Sequence, residues 1–308
     1  MATVVQAPPP TYKTSFSRFA FGVLGWNVLV VLWGAYVRAS GSGAGCGSHW
    51  PLCNGEVLPA SPGVQTIIEF THRAMSGVAL AAVAVLWLWT RRRFLRTAPV
   101  RPMAAASAIF LITEALLGAG LVLFKYVGTD ESAGRAIYLS LHLLNTLLLL
   151  GALALTAWFS KGGFYFGGWR WSRPVMAALP IAALVSVTGA IAALGDTLAP
   201  AKTLAQGFQQ DFSGAANFLV RLRVLHPAFA ILAGCYFVAV GILVLRSKQF
   251  AMANKLAGWV IALACVQLCA GAVNLLLLAP VWMQITHLFL ADAVWISLVL
   301  LFVETKVH

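Results

Sequence analysis

The chain has 308 residues, 60% of them hydrophobic and only 10% charged, with a mean hydropathy of +0.86. Soluble domains carry about 25% charged residues, so a water-soluble globular fold is excluded and a polytopic membrane protein is implied. The formal net charge of +12 implies no nucleic-acid partner, because the basic residues are distributed as a membrane topology requires.

Residues 1–16 (MATVVQAPPPTYKTSF) lack a small-residue cleavage site after a short apolar stretch and read as a cytoplasmic tail, not a signal peptide. Eight stretches reach the ~20 mostly apolar residues that a membrane helix needs: about 17–37, 67–90, 102–124, 136–158, 174–195, 225–245, 256–279 and 283–303. The segment joining the first two reads GSGAGCGSHWPLCNG at 41–55, with six residues between Cys46 and Cys53. Basic residues follow every second span: RRRFLR at 91–96, then Lys161, Arg170 and Arg173, then Arg246 to Lys255, and Lys306. With the N-terminus inside, 14 of the 21 Lys and Arg residues fall on the cytoplasmic side. The positive-inside bias therefore puts both termini in the cytoplasm of a cell-membrane protein.

This orientation sets Cys46 and Cys53 outside, where disulfides persist. A pair so close can bridge; two free thiols near the interface are the alternative. Cys235, Cys265 and Cys269 lie within spans and are expected to be small apolar packing residues.

The two halves are self-similar at a spacing of about 150 residues. Gly34-Ala35 matches Gly189-Ala190, and Glu114 followed by Gly118-Ala119 matches Gln267 followed by Gly271-Ala272. His72 matches His226, and His142 matches His287. Four spans per half make both copies enter the membrane from the same side, a parallel repeat. The expected fold is all-α: eight transmembrane helices as two parallel-repeat four-helix bundles, 1–160 and 161–308.

The histidines carry the functional argument. Ionisable residues within spans are costly, usually face the bundle interior, and are functional candidates by default. A single membrane histidine can be a hydrogen-bonded packing residue, but four repeat at similar depth, with His142 and His287 expected in the first turns of their spans. Two imidazoles from facing helices can clamp an iron porphyrin, so a paired-histidine haem site in each half is the simplest chemistry. Zinc or copper fits less well, because neither half adds an equivalent cysteine or carboxylate set. His49 and His308 have no repeat partners and read as surface residues. Arg38, Arg73, Arg135, Arg221 and Arg223 lie at outer helix ends, where they can pair with haem propionates or meet lipid headgroups.

The copies also differ. IIEFTHRAMSG places Glu69 three residues before His72, on the same helix face, whereas FLVRLRVLHPAF places Arg223 before His226. Next to a site where a cationic centre develops on a substrate, a carboxylate can stabilise charge or take a proton, or simply pair with Arg73 at i, i+4. The second half has no cysteine in its corresponding outer segment, 196–218.

The ordered motifs GSGAGCGSHWPLCNG, IIEFTHRAMSG, SLHLLN, LRVLHP and MQITHL resemble the haem A synthase family over all eight spans. The resemblance implies oxidation of the C8 methyl group of haem O to a formyl group, giving haem A. It implies a resident haem b on His226 and His287, and haem O or haem A on His72 and His142. Glu69 matches the family's acidic residue, and Cys46 and Cys53 match its outer-loop pair. The second half lacks the further cysteine pair of some bacterial members. A Cys46–Cys53 bridge would shape a lid over the substrate haem, or serve as a redox group. Expected partners are haem O, haem O synthase, a membrane electron donor and the lipid bilayer; homo-oligomerisation is left open. A dihaem b protein that oxidises quinol without modifying haem is the main alternative, and a transporter the third.

Overall fold

The computed structural model describes residues 10–162, 170–247 and 251–307; the expected tail at 1–9, Lys248 and His308 lie outside the described residues. The helices in chain order are α1 (Pro10–Ala39), α2 (Val64–Arg93), α3 (Val100–Leu123), α4 (Ala133–Phe159), α5 (Arg173–Leu198), α6 (Leu204–Phe212), α7 (Phe218–Leu222), α8 (Leu225–Arg246), α9 (Ala251–Leu276) and α10 (Val281–Glu304). Two-residue strands β1 (Arg170–Trp171) and β2 (Lys306–Val307) pair antiparallel. Eight helical segments are long and apolar enough to cross a membrane, α7 and α8 together forming the sixth. The chain is a multi-pass membrane protein.

Helix is the required conformation for these runs, because hydrocarbon offers backbone N–H and C=O groups no water. At 1.5 Å per residue even α3 and α10, the shortest single-helix spans, extend roughly 36 Å, more than the ~30 Å hydrocarbon core. Two of the boundaries that differ from the sequence expectation involve a break or turn in the chain. The sixth run starts at Phe218, and a break at Arg223–Val224 splits it into α7 and α8. Pro227 follows in the first turn of α8, where a missing N–H costs nothing. The seventh run ends at Leu276, because Leu278 and Ala279 adopt left-handed φ values of 61° and 53° and turn the chain into α10.

Helices α1 to α4 pack in succession and close through α1 against α4. Helices α5, α8, α9 and α10 do the same through α5 against α10. The two groups meet where α4 and α1 face α5 and α10. Helix α4 serves both cores: Leu149 and Leu153 pack with Phe16, Val83 and Leu86, whereas Leu147 and Leu150 pack with Val260 and Leu298. Within a bilayer, close packing and hydrogen bonds hold helices together. Gly151 accordingly brings α4 against Trp295 and Val299 of α10, and Trp295 Nε1 donates to Leu147 O at 2.6 Å. The three free cysteines depart from expectation. Cys235, Cys265 and Cys269 are exposed on outward helix faces, not packed between helices.

Candidate functional site

The end of the molecule that carries the cysteine loop also carries the four repeated histidines. His72 lies eight residues into α2, His287 six into α10, and His226 eight into the span beginning at Phe218. His142 lies nine residues into α4, beyond its first turn, because that helix begins earlier than the apolar run suggested. All four thus sit roughly 9–14 Å from the starts of their spans.

Each histidine ring faces a glycine on a neighbouring helix. A Cβ on Gly34 of α1 would lie 2.9 Å from His72 Cε1, and one on Gly189 of α5 would lie 3.0 Å from His226 Cε1. On Gly271 of α9 it would lie 3.1 Å from His287 Cε1, and on Gly118 of α3 3.6 Å from His142 Cε1. Gly34, Gly189 and Gly271 are therefore the clearance for the rings they face, whereas Gly118 makes an ordinary contact. Trp33 Nε1 donates to Ile68 O at 3.0 Å and Trp26 Nε1 to Met75 O at 3.1 Å, pinning α1 to α2 on either side of His72.

In the second half the His226 and His287 rings have centroids 6.4 Å apart. A metal between two imidazoles, with bonds of about 2 Å, needs ring centres roughly 6 Å apart, so the spacing would leave room for one. Thr188 Oγ1 lies 3.1 Å from His226 Nδ1, orienting that ring. In the first half His72 and His142 are within electrostatic reach of each other. Among the described residues the buried Nδ1 atoms of His72, His142 and His287 have no hydrogen-bond partner. Among the described residues no three His, Cys, Asp or Glu side chains converge as a bare metal ion requires. The histidines come as pairs, one pair in each half.

Glu69 is buried and turned toward the loop. Its Oε2 accepts the backbone N–H of Cys46 at 2.8 Å, and its Oε1 pairs with Arg73. The i, i+4 ion pair that the spacing allowed is formed. Arg73 also donates to His49 O at 2.7 Å and Leu52 O at 2.6 Å. Cys46 and Cys53 form a disulfide and are themselves buried, whereas His49, Trp50 and Leu52 are exposed. Glu69 and Arg73 therefore fasten the bridged loop to α2.

The second half fastens its outer segment from the same position. Arg223 pairs with Asp211 and, at 3.3 Å, with Asp196. It also donates to Ala199 O, Gly207 O and Gln210 Oε1. These contacts dock α6 by its polar side and leave Leu204, Phe208 and Phe212 exposed. Arg38 crosses between the halves, donating to Ala193 O and Thr197 Oγ1 at 2.8 Å and to Gln284 Oε1 at 2.9 Å. Arg135 donates to Gly128 O and Asp130 O. Arg221 is exposed, with no side-chain hydrogen bond or ion pair among the described residues.

One group beside a histidine was not singled out as a site residue from sequence. Glu114 Oε1 lies 3.3 Å from His142 Nδ1, and Asn145 and Thr146 donate to its two oxygens. The signal was available: SLHLLNT puts Asn145 and Thr146 one turn beyond His142. Gln267 stands in the equivalent place, its Nε2 3.3 Å from His287 Nε2. An apolar cleft of about 320 Å³ also opens between α4, α5 and α7, lined by Ile137, Leu141, Ile191 and Leu222 but by none of the histidines.

Residues 17–299 match the family model described as cytochrome oxidase assembly protein (COX15-CtaA). A protein of Thermus thermophilus named protoheme IX farnesyltransferase is 47% identical over 286 residues, covering 92% of this chain and 47% of its own. A heme A synthase of Halalkalibacterium halodurans is 44% identical over 129 residues, 41% of this chain and 42% of its own. One of Alkalihalophilus pseudofirmus is 42% identical over 97 residues, 32% of this chain and 33% of its own. The chain spans about half the length of the Thermus relative it matches.

Proposed function

The chain belongs to the cytochrome oxidase assembly protein family, COX15-CtaA, and from that premise we propose that it is a haem A synthase, oxidising the C8 methyl group of haem O to a formyl group. His72 and His142 hold haem O as substrate and haem A as product, within 1–160. His226 and His287 hold haem b, within 161–308. The observation that supports this reading is the pairing of each histidine with a glycine on the neighbouring helix, tight at Gly34, Gly189 and Gly271, because clearance for a ring is needed where the ring itself has work to do. Haem b at the second pair supplies a centre through which electrons pass.

The chain's own residues orient and shield. The imidazoles of His72 and His142 fix the substrate ring, and Gly34 leaves room for the first of them. Glu69, with both oxygens held by Arg73 and the Cys46 N–H, would act as a fixed negative charge beside the first pair of histidines, not as a mobile proton carrier. The buried disulfide supports a shaping role for the loop over a redox one, since exposed bridges are the labile ones. Arg221 is the arginine left open for a propionate; Arg38, Arg73, Arg135 and Arg223 already hold protein acceptors. Both termini are cytoplasmic and both haem sites outward, because the clusters at Arg91–Arg93 and Arg246 lie at the ends of α2 and α8 away from the cysteine loop.

The Thermus relative named for a farnesyltransferase supports a haem O-supplying enzyme of that class as a partner. Extraction of pigment from the purified chain tests the whole reading. Haem b together with haem O or haem A is the expected result. Haem b alone would favour a dihaem electron-transfer protein, and absence of haem would favour transport. Against transport, the break between α7 and α8 has no counterpart in the continuous α2, so the paired broken helices of such proteins are missing.

A further inference from the structure

Glu114 and Gln267 stand four residues before Gly118 and Gly271, each beside the second histidine of its half. Only the first is held by a dedicated network. Thr146 Oγ1 donates to Glu114 Oε1, and Asn145 Nδ2 donates to Oε2 at 2.6 Å. Asn145 is in turn fixed by donation to Phe110 O at 2.7 Å and by accepting from Thr113 Oγ1 at 2.6 Å. In the second half the matching positions are Leu290, Ala291 and Val266, which offer no side-chain donor. A carboxylate within a span is costly, and three polar side chains are spent on keeping this one in place.

We propose that Glu114 is a positioning residue that makes His142 a stronger electron donor to its iron than His287 is. The inference rests on the haem reading above. A ligand histidine that gives its second ring N–H to a carboxylate is fixed in tautomer and made more basic, and such hydrogen bonding is one of the levers on a haem potential. Glu114 Oε1 is 3.3 Å from His142 Nδ1, and that buried nitrogen makes no hydrogen bond among the described residues, so the carboxylate is the acceptor placed nearest to it. Gln267 is a neutral amide and lies instead against Nε2 of His287, whose Nδ1 has no hydrogen-bond partner among the described residues. The carboxylate thus biases the substrate-side iron toward its oxidised form, while the second site stays easier to reduce.

The test is a redox titration of the purified haem-loaded protein, followed optically with low-temperature electron paramagnetic resonance. Glu114→Gln, whose amide oxygen can still accept from Asn145 or Thr146, is expected to raise one midpoint potential and shift that haem's resonance while the other haem is unchanged. Glu114→Asp, keeping the charge, should stay nearer the wild type. If Glu114→Gln leaves both potentials and both resonances at wild-type values, or moves both equally, Glu114 does not tune this site. Wild-type protein with no bound haem overturns the haem reading itself.

Discussion

Three residues before His72 stands Glu69, and three residues before His226 stands Arg223. The opposite charges suggested different tasks at the two sites, yet each side chain does the same mechanical job. Glu69 accepts from the cysteine loop and from the arginine that holds that loop; Arg223 donates to five acceptors spread over 196–211. The charge at this position answers to what its own loop offers. A loop presenting the Cys46 N–H calls for a carboxylate, and a segment presenting Asp196, Asp211 and backbone carbonyls calls for a guanidinium. The halves differ more in how their outer segments are closed, by a covalent bridge in one and by ion pairs in the other.

The largest effect is expected at Arg223. Its side chain is 9% exposed and that of Asp211 12%, so Arg223→Ala leaves a partly buried charge unpaired at a cost of about 3–5 kcal/mol. Hydrogen exchange should show α6 losing protection while α9 keeps it, and the second haem should be depleted. Glu69→Gln keeps an acceptor for the Cys46 N–H but loses the charge that pairs with Arg73, for about 1–3 kcal/mol. Haem content should survive this change while haem A formation falls steeply. Protection of α6 unaltered in Arg223→Ala, or haem A made at the normal rate by Glu69→Gln, would break the comparison.

Next in size is the bridge. Closing a ring of about eight residues is worth roughly 2–3 kcal/mol in the chain-entropy account, less than the Arg223 cluster because Glu69 and Arg73 still anchor the loop. Replacing Cys46 and Cys53 by serine should lower haem content at the first site and leave the second alone. Unchanged turnover and unchanged haem would retire the lid.

Most of the architecture could be read from the chain, because in a bilayer the apolar run and the helix are one constraint. The histidines and glycines were visible as repeats, although their contact was not, since helix order in space does not follow from spacing. Glu69 and Arg223 were visible as an asymmetry, and the Arg73 ion pair as an allowed spacing, but not as anchors of their outer segments. Their partners are a loop N–H and a segment more than ten residues upstream, whose approach depends on the turn after α5. Helix α6 had a usable signal in Leu204, Phe208 and Phe212 at i, i+4 and i+8. The exposure of Cys235, Cys265 and Cys269 had none, because lipid-facing and packed positions are equally apolar.

The smallest effects should separate the four glycines, which sequence presents as equivalent. Alanine at Gly34, Gly189 or Gly271 would place its Cβ 2.9, 3.0 or 3.1 Å from a ring carbon, whereas at Gly118 the distance is 3.6 Å, an ordinary contact. In each case the helix gains roughly 1 kcal/mol of intrinsic propensity over glycine, and a side-chain ring can yield without unfolding the bundle. Thermal stability should therefore change little in all four variants. Haem optical spectra should not: the Gly34, Gly189 and Gly271 variants should lose or shift the haem on the ring they crowd, and Gly118→Ala should resemble the wild type. Equal spectral damage at all four positions would mean that helix packing, and not clearance for the imidazoles, keeps these residues small.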